Sequence, residues 1–282
     1  MLAEAREFKP DWIIGCSDTW AGWLAYRLAR RLGCSLAIDA YDNFESYMPL
    51  NFPLHMMWRR AVAAADVVTA AGPQLAERLQ RARSSLRRKV DVLQMTADPA
   101  FVPLDKTESR NRLNLPLHRP LLGYSGAWTR SRGSASILEA FARLRRALPD
   151  AGLVLTGKPP AEAISAEGVI ALGYLPDNDM PHVVNAMDLS CVMLANTAFG
   201  RFSYPAKLYE SMACRIPVVA SATEPVAWIL NEDRRFLAPV GDTEKYAEKM
   251  QQNLVLGRPE YPAQPSWSVL AENYSQLFAN TR

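Results

Sequence analysis

The 282-residue sequence is short of the residues that build metal sites and disulfide frameworks, with only four cysteines and three histidines. Cys16, Cys34, Cys191 and Cys214 form no CxxC pair, and His55, His118 and His182 do not cluster. Structural zinc and a disulfide scaffold are therefore both disfavoured, and no metal site is predicted. An excess of one charge is lacking too: 32 basic residues stand against 29 acidic. A general nucleic-acid binder carries a stronger basic balance, so no nucleic-acid partner is expected. No apolar run approaches the ~20 residues of a membrane-spanning helix. The opening stretch, MLAEAREFKPDW, is charged where a signal peptide has its apolar core. Reduced, buried thiols and a cytoplasmic location follow as expectations.

What the sequence does contain is alternation. Apolar runs of strand length (Trp12–Cys16, Ser35–Ala40, Asp66–Ala70, Val90–Gln94) are separated by amphipathic stretches near Trp20–Leu32, Leu54–Ala65 and Pro73–Arg83. Continuous apolar strands with crossover helices predict a parallel, doubly wound α/β domain over 1–104. Prolines and mixed charges then mark residues 105–118 as a linker with one short helix. The alternation restarts at Leu121–Ser125. Strands are predicted at Gly152–Thr156, Val169–Leu172, Leu189–Met193 and Ile216–Ala220. Ser134–Leu148 reads as a helix with Ile137, Leu138, Phe141, Leu144 and Leu148 on one face. A second α/β domain thus spans 119–260, and residues 261–282 form a last helix expected to pack back across both domains. Open α/β sheets bind ligands beyond the carboxyl ends of their strands, so the site belongs in the loops there.

The densest chemical signal is Phe199–Ser221, FGRFSYPAKLYESMACRIPVVAS. Pro205 suits the first position of a helix, with Ser203 or Tyr204 at the cap. Free N–H groups at such an end attract phosphate. Lys207 and Glu210 fall one turn apart on one face. A cation beside amide donors suits a diphosphate, and a carboxylate one turn deeper suits a ribose diol. A solvated Lys–Glu pair on an ordinary helix is the competing reading of the same spacing.

The stretch SYPAKLYESMACRIPVVAS resembles the P-x-K-L-x-E-x-M-A-x-G-x-P-V-V-A signature of family-4-type (group 1) retaining glycosyltransferases of GT-B fold. LLGYSGAWTRSRG, LPDAGLVLTGK and VIALGYLPDNDMPHVVNAMDLSCVML resemble, in order, the phosphate loop, second strand and base-holding segment of their nucleotide-sugar domain. AIDAYDNFESY and AAADVVTAAGPQLAERL resemble the end of their acceptor domain, in members that act on bacterial surface polysaccharides. The resemblance implies two Rossmann-like domains and a set of donor-binding residues. Glu210 would hold the ribose, and Lys207 with the backbone of Ser203, Tyr204, Pro205 and Ala206 would approach the diphosphate or sugar. Arg132 would be the main diphosphate cation. Gly126 and Gly157 would let the backbone approach the donor, and Tyr174 and Leu175 would border the base. Where relatives usually carry an arginine, this chain has Ala127, with Arg130 as the substitute. No cofactor and no obligatory metal are implied; the donor is a substrate.

Asp39 and Asp42 follow a buried strand and are the catalytic candidates, orienting or deprotonating an acceptor hydroxyl. Asp42 equally suits a helix cap. Arg78, Arg81, Arg83, Arg87, Arg88 and Lys89 form a basic cluster open to two readings, a solvated helix end or a contact with an anionic acceptor or with anionic lipid at the inner face of a membrane. Three departures from the family pattern stand out. Phe202 occupies a position where many relatives carry a sugar-contacting glutamate. Arg215 replaces a usual glycine, at a cost on the order of 1 kcal/mol if the backbone there is left-handed. The resemblance also implies that the first units of the acceptor domain are absent, leaving the N-terminal domain incomplete. A gene fragment, a late start or a partner chain that completes the sheet would each account for this. The function expected is transfer of a sugar, with retention, from a nucleotide sugar to a glycan or lipid-linked acceptor. The alternative is a non-catalytic or partner-dependent nucleotide-sugar-binding subunit.

Overall fold

The computed structural model describes residues 2–83, 88–129 and 132–281. They divide into two compact units, one made of Met1–Met95, Phe202–Tyr204 and Trp267–Arg282, the other of Thr96–Arg201 and Pro205–Ser266.

The first unit runs α1 (Leu2–Phe8), β1 (Trp12–Gly15), α2 (Thr19–Leu32), β2 (Ser35–Ala40), α3 (Phe52–Ala64), β3 (Val67–Ala70), α4 (Pro73–Gln80) and β4 (Asp91–Val92). Its four strands are all parallel, in the order β1-β2-β3-β4. Local chemistry sets the helix starts. The Asp18 carboxylate accepts from the Ala21 amide at 2.8 Å to open α2, and Asn51 accepts from Leu54 at 3.2 Å to open α3.

The second unit continues with α5 (Lys106–Arg112), β5 (Leu121–Tyr124), α6 (Ser134–Ala147), β6 (Gly152–Thr156), α7 (Ala161–Ile164), β7 (Val169–Gly173) and α8 (Met180–Asn185). It closes with β8 (Leu189–Val192), α9 (Ala206–Ala213), β9 (Val218–Ser221), α10 (Glu224–Ile229), β10 (Leu237–Ala238) and α11 (Thr243–Asn253). Its six parallel strands are ordered β10-β9-β8-β5-β6-β7. Alternate residues of β5 and β6 feed opposite faces. Leu122, Tyr124, Leu153 and Leu155 join a core with Ile137, Phe141, Tyr246 and Met250. Leu121 and Val154 join another with Val183, Met187 and Ile216. The last helix, α12 (Trp267–Ala279), groups with the first unit. There the Trp12 and Phe278 rings meet at 4.7 Å.

The parallel α/β architecture is as predicted, and most elements fall within a few residues of the expected positions. The stretch 105–118 is different: it is no free linker. Arg110, 2% exposed, donates to the carbonyls of Ala186, Leu117 and Arg119 and to the Asp188 carboxylate at 2.6 Å. Leu113 and Leu115 enter the core beside it. A buried guanidinium needs this many acceptors, and they fasten the segment to the sheet. The thiols differ too: Cys191 and Cys214 are buried, whereas Cys16 is exposed and Cys34 half-buried. No described helix is long and apolar enough to cross a membrane.

Candidate functional site

In the second sheet the strand order reverses between β5 and β8: β6 and β7 continue to one side, β9 and β10 to the other. Such a switch point leaves a crevice at the carboxyl ends of the two strands, because the loops that follow them diverge. The loop after β5 carries Gly126 and Arg132. The loop after β8 leads through Phe199 and a short 3₁₀ turn into α9.

Gly126 has φ +156° and Gly157, at the end of the adjacent β6, has φ +81°. Side chains rarely adopt either conformation. A β-carbon added at Gly157 would lie 3.8 Å from the Gly126 carbonyl oxygen, so the two bare backbones lie against each other. Just before them the Ser125 and Thr156 hydroxyls share a 2.7 Å hydrogen bond. Arg132 leads into α6, its guanidinium 4.9 Å from the centre of the Phe199 ring. Among the described residues it makes no ion pair. Arg130 lies outside the described residues.

The start of α9 is one residue later than expected. Pro205 is the cap itself, with ψ 119°, and supplies no side-chain hydrogen bond. The helix is fastened to β8 through the Ser211 hydroxyl, 2.8 Å from both Ser190 and the Lys207 carbonyl. The Lys207 ammonium lies 3.2 Å from one Glu210 carboxylate oxygen and 3.4 Å from the other. The nearer oxygen, Oε2, is buried and lacks the geometry of a hydrogen bond. A buried carboxylate oxygen without a donor is an acceptor left open.

Ser203 and Tyr204 are buried, and they group with the first unit. The Tyr204 hydroxyl donates to the Gln74 side chain at 2.6 Å and accepts from the Gln74 amide at 3.2 Å. That phenol therefore caps α4, whose own cap residue, Gly72, has no side chain to do so. A β-carbon at Gly72 would fall 2.0 Å from the Tyr204 ring. The expected donor-facing role of Ser203–Tyr204 thus rests on backbone alone. Tyr174 is 83% exposed after β7, while Leu175 leans on the core formed with Val183 and Met187. Of the two base-bordering candidates, the tyrosine is the more exposed and the leucine is half-buried.

In the first unit Asp39 lies inside β2 rather than after it. It accepts from the Thr69 hydroxyl on β3 at 2.5 Å. Burial pushes its carboxyl above the ordinary value, outweighing that hydrogen bond. Asp42 is outside the strand and accepts from the Tyr47 hydroxyl at 2.8 Å; the following turn is capped by Asn43, not by Asp42. Sequence reasoning missed Glu45, which is buried and takes Arg59 at 2.6 Å and Arg78 at 2.7 Å. Burial raises its carboxyl, but the two guanidiniums outweigh burial and hold it below the usual range. These three side chains help line a cavity of about 230 Å³ with Asn43, Trp58 and Arg81.

The basic cluster after α4 loses most of its free charge. Arg78 serves Glu45 and stacks 5.1 Å from the Phe202 ring; Arg81 meets Glu77 at 3.3 Å. Arg83 is buried against the carbonyls of Val62 and Ala65, and Arg88 pairs with Asp91 at 3.0 Å. Arg87 lies outside the described residues. The departure at Arg215 is as read from the sequence: φ is +56°, the left-handed region.

Residues 119–255 match the profile of the family described as Glycosyl transferases group 1. A GDP-mannose-dependent monoacylated alpha-(1-6)-phosphatidylinositol monomannoside mannosyltransferase of Corynebacterium glutamicum is 24% identical over 88% of this chain and 71% of its own length. A D-inositol 3-phosphate glycosyltransferase of Segniliparus rotundus is 28% identical over 57% of this chain and 38% of its own length. Among solved structures, sucrose-phosphate synthase of Thermosynechococcus elongatus superposes with a TM-score of 0.82 at 18% identity, over 99% of this chain and 75% of that one. The Anabaena protein HepE, solved with UDP-glucose, gives 0.73 at 15% identity over 99% and 79%. The architecture, two α/β units with parallel sheets, is the GT-B fold. Over residues 119–255, just under half of the chain, the protein is similar to the group 1 glycosyltransferases.

Proposed function

We propose that this enzyme takes its sugar from a nucleotide-sugar donor and transfers it, with retention at the anomeric carbon, to a glycan or lipid-linked acceptor in surface polysaccharide biosynthesis, at the cytoplasmic face of a membrane. The observation that supports this best is the grouping at the switch point. Bare backbone at Gly126 and Gly157, a stacked Arg132 without a carboxylate, and the Lys207–Glu210 pair on α9 all follow from strands β5, β6 and β8. In this reading Arg132, Lys207 and the first amides of α9 meet the diphosphate, which is how its charge is stabilised as the sugar departs. The open oxygen of Glu210 accepts from the ribose diol. The acceptor hydroxyl oxygen bonds to the anomeric carbon as the bond to the phosphate oxygen breaks. Asp42, outside its strand, and Asp39, with its raised proton affinity, are the candidates to receive or orient that proton. The names of the relatives lend support: one is GDP-mannose-dependent with a phosphatidylinositol-linked acceptor, and HepE was solved with UDP-glucose.

Calorimetry with GDP-mannose and UDP-glucose tests the donor assignment. Arg132→Ala, Lys207→Ala and Glu210→Ala should each weaken donor binding by about tenfold or more, since each removes a charge-assisted contact. Unchanged affinity in all three would sink it. Chelation by EDTA should leave donor affinity intact, and NMR of the product's anomeric proton should report retention. Phe202 favours a second reading, because a phenyl ring cannot replace a glutamate's hydrogen bonds to a sugar. Donor binding without transfer to any supplied acceptor would select the non-catalytic or partner-dependent subunit instead.

A further inference from the structure

The first unit exposes one apolar tip. Leu50, in the loop before α3, is 84% exposed; Phe52 and Met56, one helical turn apart on α3, are 65% and 72% exposed. Tyr47 and Met48 stand exposed in the same loop. Large apolar side chains grouped this closely in water mark a contact surface. On the next turn of the same helix face come Arg59 and Arg60, also exposed.

Asp42 and Glu45 lie in the loop beside this tip, Asp42 on the Tyr47 hydroxyl and Glu45 on Arg59, but the helices next to it carry charge of one sign. Neither α2 nor α3 contains an acidic residue, while Arg27, Arg30, Arg31, Arg59 and Arg60 lie on them. Arg59 answers Glu45. Arg60 and Arg30 instead converge on one phenol: both donate to the Tyr26 hydroxyl, at 3.3 and 3.2 Å. Tyr26 is buried, and the two guanidiniums lower its phenolic proton affinity. Among the described residues neither arginine meets a carboxylate. Two guanidiniums held side by side over a neutral oxygen repel each other and are relieved by an anion.

We propose that this tip is a membrane-docking surface: Leu50, Phe52 and Met56 enter the acyl boundary of a bilayer, while Arg30 and Arg60 receive the phosphates of anionic lipid headgroups. An apolar wedge backed by guanidiniums matches such a bilayer in both polarity and charge. The surface is separate from the basic cluster after α4, whose charges are largely consumed inside the unit. The inference deepens the membrane-face location proposed above and is independent of the donor site, since it requires no nucleotide sugar.

The test is co-sedimentation of the full chain with vesicles of phosphatidylcholine alone and of an equal mixture with phosphatidylglycerol. The wild type should pellet with the anionic vesicles and stay in solution with the neutral ones. The triple variant L50S/F52S/M56S should lose binding by about tenfold or more, the scale of one buried apolar side chain. These positions face solvent, so its thermal transition by circular dichroism should match the wild type. The double variant R30Q/R60Q should lose the preference for anionic vesicles and stay in solution with both. Wild-type protein that ignores anionic vesicles, or a triple variant that pellets as well as wild type, overturns the proposal. So does a concentration-dependent dimer that the triple variant abolishes, which would assign the tip to a second copy. Calorimetric donor binding by the same samples is a separate readout, so failure of one reading leaves the other standing.

Discussion

In the second unit β6 buries all five of its residues between two apolar layers, whereas in the first unit the equally apolar β1 leaves Ile14 in contact with solvent. Composition does not separate the two strands; position in the sheet does. β6 has a parallel neighbour on each side and helices over both faces, and β1 stands at the end of its row among the described strands. A parallel strand is built for cover on both faces, so one at the end of a row shows apolar surface. The charges follow the same division. The buried charge of the second unit closes on itself, with Arg110 and Lys106 both on Asp188. The first unit gathers two arginines on Glu45 and leaves Arg30 and Arg60 with a phenol.

Substitutions can sharpen or break this contrast. The largest effect is expected from Arg110→Ala, which strands Asp188 and several carbonyls in a buried place. It should destabilise the second unit by roughly 3–5 kcal/mol in urea unfolding. A loss below about 1 kcal/mol would mean the segment 105–118 is held by its leucines alone. Glu45→Gln removes the shared charge of a partly exposed trio and should cost the first unit about 2 kcal/mol. If it costs nothing, the first unit owes nothing to that cluster. Arg215→Gly relieves a left-handed backbone and gives up only a surface ion pair with Glu260, so it should stabilise by about 1 kcal/mol.

The smallest effects concern pH, and the two units should respond with opposite signs. Burial raises the Asp188 carboxyl, but Lys106, the Leu121 amide and Arg110 outweigh it and hold it below its ordinary 3.8. Its contribution is present above that pH and is lost as pH falls through the lower folded value. Asp188→Asn should therefore flatten the acid side of the stability curve. Asp39 is raised above 3.8 by burial, so the folded state holds its proton better and stability drops as pH climbs through that window. Asp39→Asn should flatten the curve there and leave the protein no less stable at neutral pH. Slopes of the same sign in both variants would show that the two carboxylates do not differ as described.

Most of the fold is legible in the sequence. The α/β alternation, β2, β5 and β6, and the helix carrying Lys207 and Glu210 all follow from period and composition. The pieces that escaped are short: α1, α7 and β10 are too brief for a period to show. The segment 105–118 reads as a linker because proline and charge suggest one, while a buried arginine looks like any other in a sequence. The capping role of the Tyr204 hydroxyl is hidden for a related reason. Its partner, Gln74, lies 130 positions away, and the only local hint was a helix opening on Gly-Pro, where a cap must come from elsewhere.

The sequence by itself determined the class of fold and the residues around the Lys207–Glu210 helix, because strand runs, helical spacing and a proline at a helix start are short-range signals. Which of its many arginines are spent internally, as Arg83 and Arg110 are, and which meet no carboxylate among the described residues, as with Arg30 and Arg60, was decided only by the tertiary structure. Ion pairing depends on atoms brought within a few ångströms by packing, and charge counts along the chain do not record that distance.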